Sequence, residues 1–304
     1  MTLNEQTRTG ISASMQDYIK RHDVSINAFA KKTGVNPRFI SHMISKKEEV
    51  KDAWYVKVAE HINFQIKKSY WPLRKTDEFM EVIMAIKDAR EMEVNKTVIG
   101  ETGCGKTTAA RQYCKKNPKF TYMITITSGH TKRVMYEDMC ELLGLSMNGT
   151  ALKKERRVAE ALLGMRLSGD DPVLIIDEAE NLTQNTLKSL KSFYDRLEGH
   201  CPIVLLGTSQ LTEKLEHLSA RNKEGMPQFY SRFKAGIITL DPIDRNYSLF
   251  LSDVKDKRLT ELLRKTCSDY RELHDRVVYA KKVLDKRGEE LTLETYKLIH
   301  NIRS

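Results

Sequence analysis

The sequence predicts an α/β protein built on a parallel sheet, with a helical C-terminal subdomain and a small all-α domain in front. Three observations predict it. Continuously apolar runs at 173–176 and 202–206 alternate with helical patterns, and such runs suit strands buried on both faces. A glycine-rich turn at 100–105 joins the β-branched run 97–99 to a helix that opens at Lys106. Residues before 63 and after 244 carry helical periodicity alone. The expected division is 1–63, a linker 64–75, an α/β subdomain 76–243 and a helical subdomain 244–304.

A length of 304 residues suits two domains better than one. The net charge is +10, and residues 1–75 hold 14 Lys/Arg against 7 Asp/Glu. A basic terminal block points to a polyanion, most often nucleic acid; a solvated basic surface is the plainer alternative. The five cysteines, Cys104, Cys114, Cys140, Cys201 and Cys267, form no C-x-x-C pair, and the eight histidines show no ligand spacing. Zinc and a disulfide framework are therefore not expected. No apolar run approaches the ~18 residues of a membrane span. The expectation is a soluble protein of the reducing cytoplasm, with no membrane partner.

Residues 1–13 are polar and are expected to fray. A helix follows at 13–21 with Met15, Tyr18 and Ile19 on one face. Ser25 caps a second helix, 26–32, with Ile26, Phe29 and Ala30 inward. The turn Thr33-Gly34-Val35 leads to Asn36, which caps a third helix starting at Pro37, a residue suited to the first helical position. Phe39, Ile40, Met43 and Ile44 lie at core spacing there. Residues 50–62 give a further amphipathic helix. Helix, glycine turn and helix form the layout of a helix-turn-helix, and 25–45 looks like the small DNA-binding domains of phage repressors. Arg38, Ser41 and His42 would then face bases, with Lys46 and Lys47 near phosphates. A helical protein-interaction module has the same rhythm. In the linker, Trp71, Pro72 and Leu73 suit either an adenine-side contact or core packing.

Residues 76–91 form a helix with Phe79, Val82, Ile83 and Ile86 inward. The strand–turn–helix at 96–108 reads Gly-x4-Gly-Lys-Thr, the phosphate-binding P-loop. Glycines let the backbone wrap a phosphate, and the helix N-terminus supplies positive partial charge. The nucleotide-binding set is Gly100, Thr102, Gly103, Cys104, Gly105, Lys106, Thr107 and Thr108. Lys106 can reach the β- and γ-oxygens of ATP, and the Thr107 hydroxyl can ligate Mg²⁺.

A second strand is expected at 120–127, then helices at 132–143 and 155–167. The strand 173–176 ends in Asp177-Glu178, the Walker B pattern. Asp177 would hold Mg²⁺ and Glu178 would polarise the attacking water. After a helix at 187–197, the strand 202–206 ends in Gly207-Thr208-Ser209. Such a strand delivers a polar group beside the γ-phosphate; Thr208 is the choice and Ser209 the second. Related families often carry Asn here. Beyond 244, Asp269 and Glu272 form a D-x-x-E capping box for a helix 270–286, ended by Gly288 and followed by a last helix at 292–302.

Several of these motifs resemble known families. Ser231-Arg232-Phe233 ahead of an apolar strand resembles the arginine-finger element of AAA+ ATPases, which implies that Arg232 reaches a neighbouring subunit's γ-phosphate; a surface arginine is the alternative. Arg271 matches the arginine of an AAA+ lid helix that touches nucleotide, although an i,i+4 partner on an exposed face has the same spacing. Taken together, the chain resembles the phage Mu transposition protein B-like AAA+ ATPases, which help transposases find target DNA. The carrying residues are Gly103, Gly105-Lys106-Thr107, Tyr122-Met123-Ile124-Thr125-Ile126-Thr127, Leu174-Ile175-Ile176-Asp177-Glu178-Ala179, Ser231-Arg232 and Arg271. The resemblance implies an AAA+ P-loop NTPase fold with a C-terminal helical lid. It also implies ATP-dependent homo-oligomeric filaments on double-stranded DNA, bound largely without sequence preference, and a transposase as partner. Thr131, Lys132 and Arg133 would face the DNA backbone, with Lys153 and Lys154 as a second pair. An ATP-gated transcriptional regulator and a helicase loader remain as alternatives.

Overall fold

The computed structural model describes residues 3, 5–45, 50–64 and 70–302. Lys46 and Lys47 lie outside the described residues. The chain divides into two compact units, Met1–Pro72 and Leu73–Ser304.

The first unit holds α1 (Glu5–Arg21), α2 (Ile26–Thr33), α3 (Pro37–Ser45) and α4 (Asp52–His61). Its core is Ile11, Met15, Phe29, Ile40, Met43 and Val58, with Leu3 and Tyr55 alongside. Two expectations are corrected here. Residues 5–13 are helical rather than frayed, because Leu3 and Ile11 are buried in that core and Arg8 Nε donates to Asp52 Oδ1 at 2.7 Å. Ile26 is not inward: it is 38% exposed, while Phe29 and Ala30 are buried. The Ser25 hydroxyl accepts from Ala28 N at 3.2 Å, and the Asn36 side-chain oxygen Oδ1 accepts from Arg38 N at 2.9 Å.

The second unit opens with α5 (Asp77–Met92), capped by the Thr76 hydroxyl, which accepts from Phe79 N at 3.2 Å. Then come β1 (Lys96–Ile99), α6 (Lys106–Lys116), β2 (Thr121–Thr125), α7 (Lys132–Leu142), α8 (Ala151–Leu167), β3 (Val173–Asp177), α9 (Gln184–Leu197) and β4 (Ile203–Gly207). After them follow α10 (Ser209–Ala220), α11 (Met226–Phe233), β5 (Ile237–Thr239), α12 (Ser248–Leu251), α13 (Lys257–Thr266), α14 (Tyr270–Arg287) and α15 (Leu293–Ile299). The helix α8 starts a turn earlier than expected because the Thr150 hydroxyl caps it, accepting from Lys153 N at 3.3 Å.

The sheet has the order β2-β3-β4-β1-β5, and every pairing is parallel. Side chains alternate across it. Leu174, Ile176, Ile203 and Leu205 share a core with α7 to α11, through Met135, Tyr136, Val158, Leu190, Leu211 and Phe229. Ile175, Val204, Leu206 and Val98 are equally buried but outside that cluster, on the face where α5 packs. Both faces are covered, which is why β3 and β4 read as unbroken apolar runs.

The register sets the site. Ile99 pairs with Gly207, and Thr125 pairs with Asp177. The carboxyl ends of β1, β3 and β4 therefore open on one side, where the chain order reverses around β1. Ligands of open parallel sheets bind at such a reversal.

Candidate active site at the carboxyl ends of the sheet

The turn after β1 is built for backbone approach. Gly100 N donates to Gly207 O at 3.1 Å, tying the turn to the end of β4. A Cβ on Gly100 would lie 2.8 Å from Leu240 Cδ1 and 3.1 Å from Cys104 Sγ. Gly103 has φ +78°, and a Cβ there would lie 2.4 Å from Asp269 Cγ. Only glycine satisfies both the left-handed backbone and the contact. Burial pushes the Cys104 thiol up, so it acts as a packing group rather than a thiolate. Thr102 and Thr108 are exposed on the turn and the first helical turn.

Lys106 opens α6 behind Gly105, and its Nζ donates to Gly100 O at 2.8 Å and Glu101 O at 2.9 Å. The ammonium is thus held inside the turn. The Thr107 hydroxyl donates to Asp177 Oδ2 at 2.8 Å, joining α6 to the end of β3. Asp177 is buried. Burial pushes its carboxyl up, while the Thr107 hydrogen bond, Arg111 and Lys106 pull it down.

Glu178 follows with φ 56° and ψ 40°, a left-handed conformation that costs a non-glycine residue about 1 kcal/mol. Such strain is characteristic of functional positions. Burial, then the Glu180 and Asp177 charges, push the Glu178 carboxyl up, whereas Lys106 and Arg271 pull it down. A carboxylate made more basic beside a phosphate turn suits the activation of water.

Thr208 stands at the N-cap of α10 without using its hydroxyl as a cap, and its buried Oγ1 has no partner among the described residues. Ser209 opens α10 as an exposed neighbour. Glu180, which the sequence motifs did not single out, presents a second such atom. Its Oε2 is buried without a partner and sits 3.0 Å from where a Cβ on Gly207 would lie. Other buried side-chain atoms without a partner among the described residues, such as Thr97 Oγ1 and Thr121 Oγ1, lie away from the turn; these two stand together at the end of β4. Only the local Asp-Glu-x-Glu pattern after an apolar run could have flagged Glu180.

The C-terminal helices reach the same turn. Asp269 Oδ1 accepts from Glu272 N at 2.8 Å, and Glu272 Oε2 accepts from Ser268 N at 2.8 Å, so the box closes one residue earlier than its pattern implies. Tyr270 OH donates to Glu78 Oε1 at 3.2 Å, and Arg74 pairs with Asp253. The Tyr270 contact holds the first turn of α14, whose cap Asp269 packs on Gly103, and the Arg271 charge pulls the Glu178 carboxyl down. Sequence reasoning marked Asp269 as a cap only; its packing on Gly103 carries no local sequence signal. Arg245 also approaches the turn, at 3.3 Å from Glu101.

The remaining predicted residues lie elsewhere. Arg232 pairs with Asp195 at 2.6 Å and donates to Gln228 O at 2.8 Å. Thr131 caps α7, Lys132 is half-buried, and Arg133 is 71% exposed and 3.0 Å from Glu137. Lys153 is exposed. Lys154 is corrected: its side chain is 0% exposed and paired with Glu137 between α7 and α8, so it is a structural cation and cannot meet a DNA backbone. In the first unit Arg38 and Ser41 are exposed on α3, and Arg38 Nε donates to His42 Nε2 at 3.3 Å.

Sheet order, P-loop and carboxylate-tipped β3 define an α/β AAA+ P-loop NTPase fold with a five-stranded parallel sheet. A family model described as an AAA domain matches residues 95–215. Among solved structures, the Orc1 protein of Aeropyrum pernix in complex with DNA is similar at 16% identity and a TM-score of 0.54, over 77% of this chain and 66% of that one. The ORC2 protein of Aeropyrum pernix, in ADPNP-ADP complexes, is similar at 13% identity and a TM-score of 0.53, over 78% and 70%. Cdc6p from Pyrobaculum aerophilum follows at 13% and 0.51, over 73% and 66%. At these identities the likeness is one of fold. No curated protein matches the sequence. No helix among the described residues is long and apolar enough to cross a membrane.

Proposed function

We propose that this chain is an ATP hydrolase that binds duplex DNA in its ATP state, assembles there as a homo-oligomer and delivers the DNA to a transposase. The Thr107–Asp177 contact at 2.8 Å carries the ATP reading. It sets a hydroxyl and a buried carboxylate side by side at the mouth of a glycine turn that already holds a lysine. Mg²⁺ takes one or two protein oxygens and completes its shell with water and substrate phosphates, so these two groups fit it. When bound, the ion neutralises phosphate charge. The turn Gly100–Gly105, with Thr102 and Cys104, wraps the phosphates, and Thr108 continues the helix that faces them. Lys106 exchanges its two carbonyl acceptors for phosphate oxygens. Glu178 orients and deprotonates water, Thr208 offers its unpartnered hydroxyl to the γ-phosphate, and Arg271 closes from α14. Arg232 exchanges Asp195 for the γ-phosphate of a neighbouring copy.

Thr131, Lys132 and Arg133 at the start of α7, with Lys153 at the start of α8, supply phosphate contacts that bind DNA without reading it. Arg38, Ser41 and His42 offer a second, helix-borne DNA contact. The transposase as partner rests on the resemblance to transposition helper ATPases.

Electron microscopy with duplex DNA tests this reading. Regular decorated filaments are expected with ATP or a slowly hydrolysed analogue, and bare DNA with ADP. Lys106→Ala protein that coats DNA on addition of ATP would contradict it. The fold likeness to Orc1 and Cdc6p favours a second reading, a helicase-loader-like ATPase. That reading expects discrete particles on DNA instead of filaments.

A further inference from the structure

Between the ATP site and the proposed DNA-facing turn of α7 lies a loop, 126–131, whose backbone is held group by group. Ile126 N donates to Asp177 O at 2.9 Å. Ile126 O accepts from Asn181 Nδ2 at 3.0 Å. Both polar groups of residue 126 therefore end on the segment that carries Asp177 and Glu178. The next residue is held entirely by His130. Thr127 N donates to His130 Nδ1 at 2.9 Å, and Thr127 O accepts from His130 N at 3.0 Å.

The tautomer follows from these donors. A backbone N–H can only donate, so Nδ1 accepts from Thr127 N and the ring hydrogen sits on Nε2; the Thr127 hydroxyl lies 2.8 Å from the same Nδ1. Nε2 then donates to Asp138 Oδ2, 2.7 Å away on α7. His130 is 10% exposed, although Thr127, Ser128 and Gly129 around it are open to solvent. An exposed loop with a glycine ought to pivot; this one is bracketed at each end.

The anchoring segment is itself braced. The turn Ala179–Asn181 follows the strained Glu178, and Lys214 Nζ from α10 donates to Glu180 O and to Leu182 O. Burial lowers the Lys214 pKa, and the two carbonyls oppose that shift by accepting from its ammonium. A displacement at Glu178 thus has a short covalent and hydrogen-bonded route to Lys132: Asp177 and Asn181, Ile126, Thr127, His130, Asp138.

We propose that His130 and Asp138 are positioning residues that couple the nucleotide state at Glu178 to the DNA affinity of the α7 turn, with Asn181 as the link to the ATP site. This rests on the functional reading above and specifies how the ATP site is regulated and read out. The bracket makes the loop a lever: without it, 127–129 would absorb a shift instead of passing it on. The Thr131 cap keeps the start of α7 formed when the bracket is lost, so coupling and folding are separable.

The test measures duplex-DNA affinity of the full chain in ATP and in ADP, and ATP hydrolysis without DNA. Wild type should bind roughly 10–100-fold more tightly with ATP, the range of ordinary allosteric coupling. His130→Ala, Asp138→Ala and Asn181→Ala should bring that ratio to about one to three. His130→Ala and Asp138→Ala should leave kcat and KM without DNA within about twofold. Asp138→Asn keeps an oxygen acceptor for Nε2–H and should restore the ratio. A wild-type ratio in His130→Ala and Asp138→Ala overturns the inference. So does a parallel loss of hydrolysis in Asp138→Ala, which would make the pair a fold support. Wild-type protein that ignores DNA in both nucleotides overturns the functional reading instead, and the wild-type arm alone reveals it.

Discussion

Two glycine turns in this molecule each precede a helix, and they differ in what they hold. The turn before α6 gathers chain segments remote in sequence: Gly207, Asp177 and Asp269 all touch it. In the turn before α3, a Cβ on Gly34 would meet nothing within 4 Å among the described residues. Beyond it, Arg38 and Ser41 stand exposed, and Arg38 Nε donates to His42 Nε2 one turn along the same helix. Exposed side chains on a helix suit many partners. Buried carboxylates and unpartnered hydroxyls suit few, because their desolvation must be offset by a ligand of matching chemistry. Buried atoms without a partner also occur away from the site, at His61, Thr97 and Thr121. The difference therefore teaches that their convergence with the Lys106 turn and Asp177 assigns chemistry to the second unit more sharply than to the first.

The most severe way to break that contrast is Lys106→Ala. It removes the one ammonium held inside the phosphate turn and should lower kcat for ATP hydrolysis by roughly 10²–10³-fold or more, as loss of a preorganised charge donor does. Steady-state hydrolysis and nucleotide binding by calorimetry check it. Hydrolysis at the wild-type rate would deny the turn its assigned role. Glu178→Gln should lower kcat by about 10²–10⁴-fold while ATP binding persists, the signature of losing a general base. A variant that loses binding as well would mean that Glu178 supports the turn rather than the chemistry.

Why these two positions were legible is a matter of locality. The P-loop and the Asp177-Glu178 step each lie within one strand and one turn, so spacing alone announces them. The fully apolar runs at β3 and β4 likewise follow from two covered sheet faces. What spacing could not announce was contact between distant segments. Asp269 on Gly103 and Glu180 on Gly207 are tertiary facts. Lys154 looked like one more surface lysine, and only its 0% exposure beside Glu137 shows a buried ion pair. The misreading of residues 5–13 has the same origin. Their helix is stabilised by Leu3, Ile11 and the Arg8–Asp52 pair, contacts that a polar composition conceals.

A smaller effect sharpens the contrast between the two proposed DNA contacts. Lys132→Ala and Arg133→Ala should each weaken duplex binding uniformly across sequences and reduce the slope of log affinity against log salt by about one, as loss of one phosphate contact does. Arg38→Ala should instead change sequence preference if α3 reads bases, by about 1–3 kcal/mol at one position. Binding isotherms over a salt series, on two unrelated duplexes, separate the cases. A salt slope unchanged in both α7 variants would remove that turn from the interface.

The smallest expected effect concerns the first unit alone, through the pair that folds its N-terminal turns. Asp52 accepts from Arg8 Nε at 2.7 Å and from Leu3 N at 2.9 Å, and these bonds, the Arg8 contact first, hold its carboxyl below the usual carboxylate range. A folded pKa below the unfolded value of about 3.9 means stability that is fully present above that value and lost as pH falls through the folded pKa. Asp52→Asn should therefore cost about 1 kcal/mol at pH 7, or roughly 4–8 °C in a unit of this size. The gap from wild type should narrow as pH falls below about 4. Both tryptophans, Trp54 and Trp71, belong to this unit, so their fluorescence follows its melting in the intact chain. A constant gap between pH 7 and pH 3 would show that the asparagine acts through packing and not through the lost charge. An absent gap would return α1 to the frayed segment that its composition suggests.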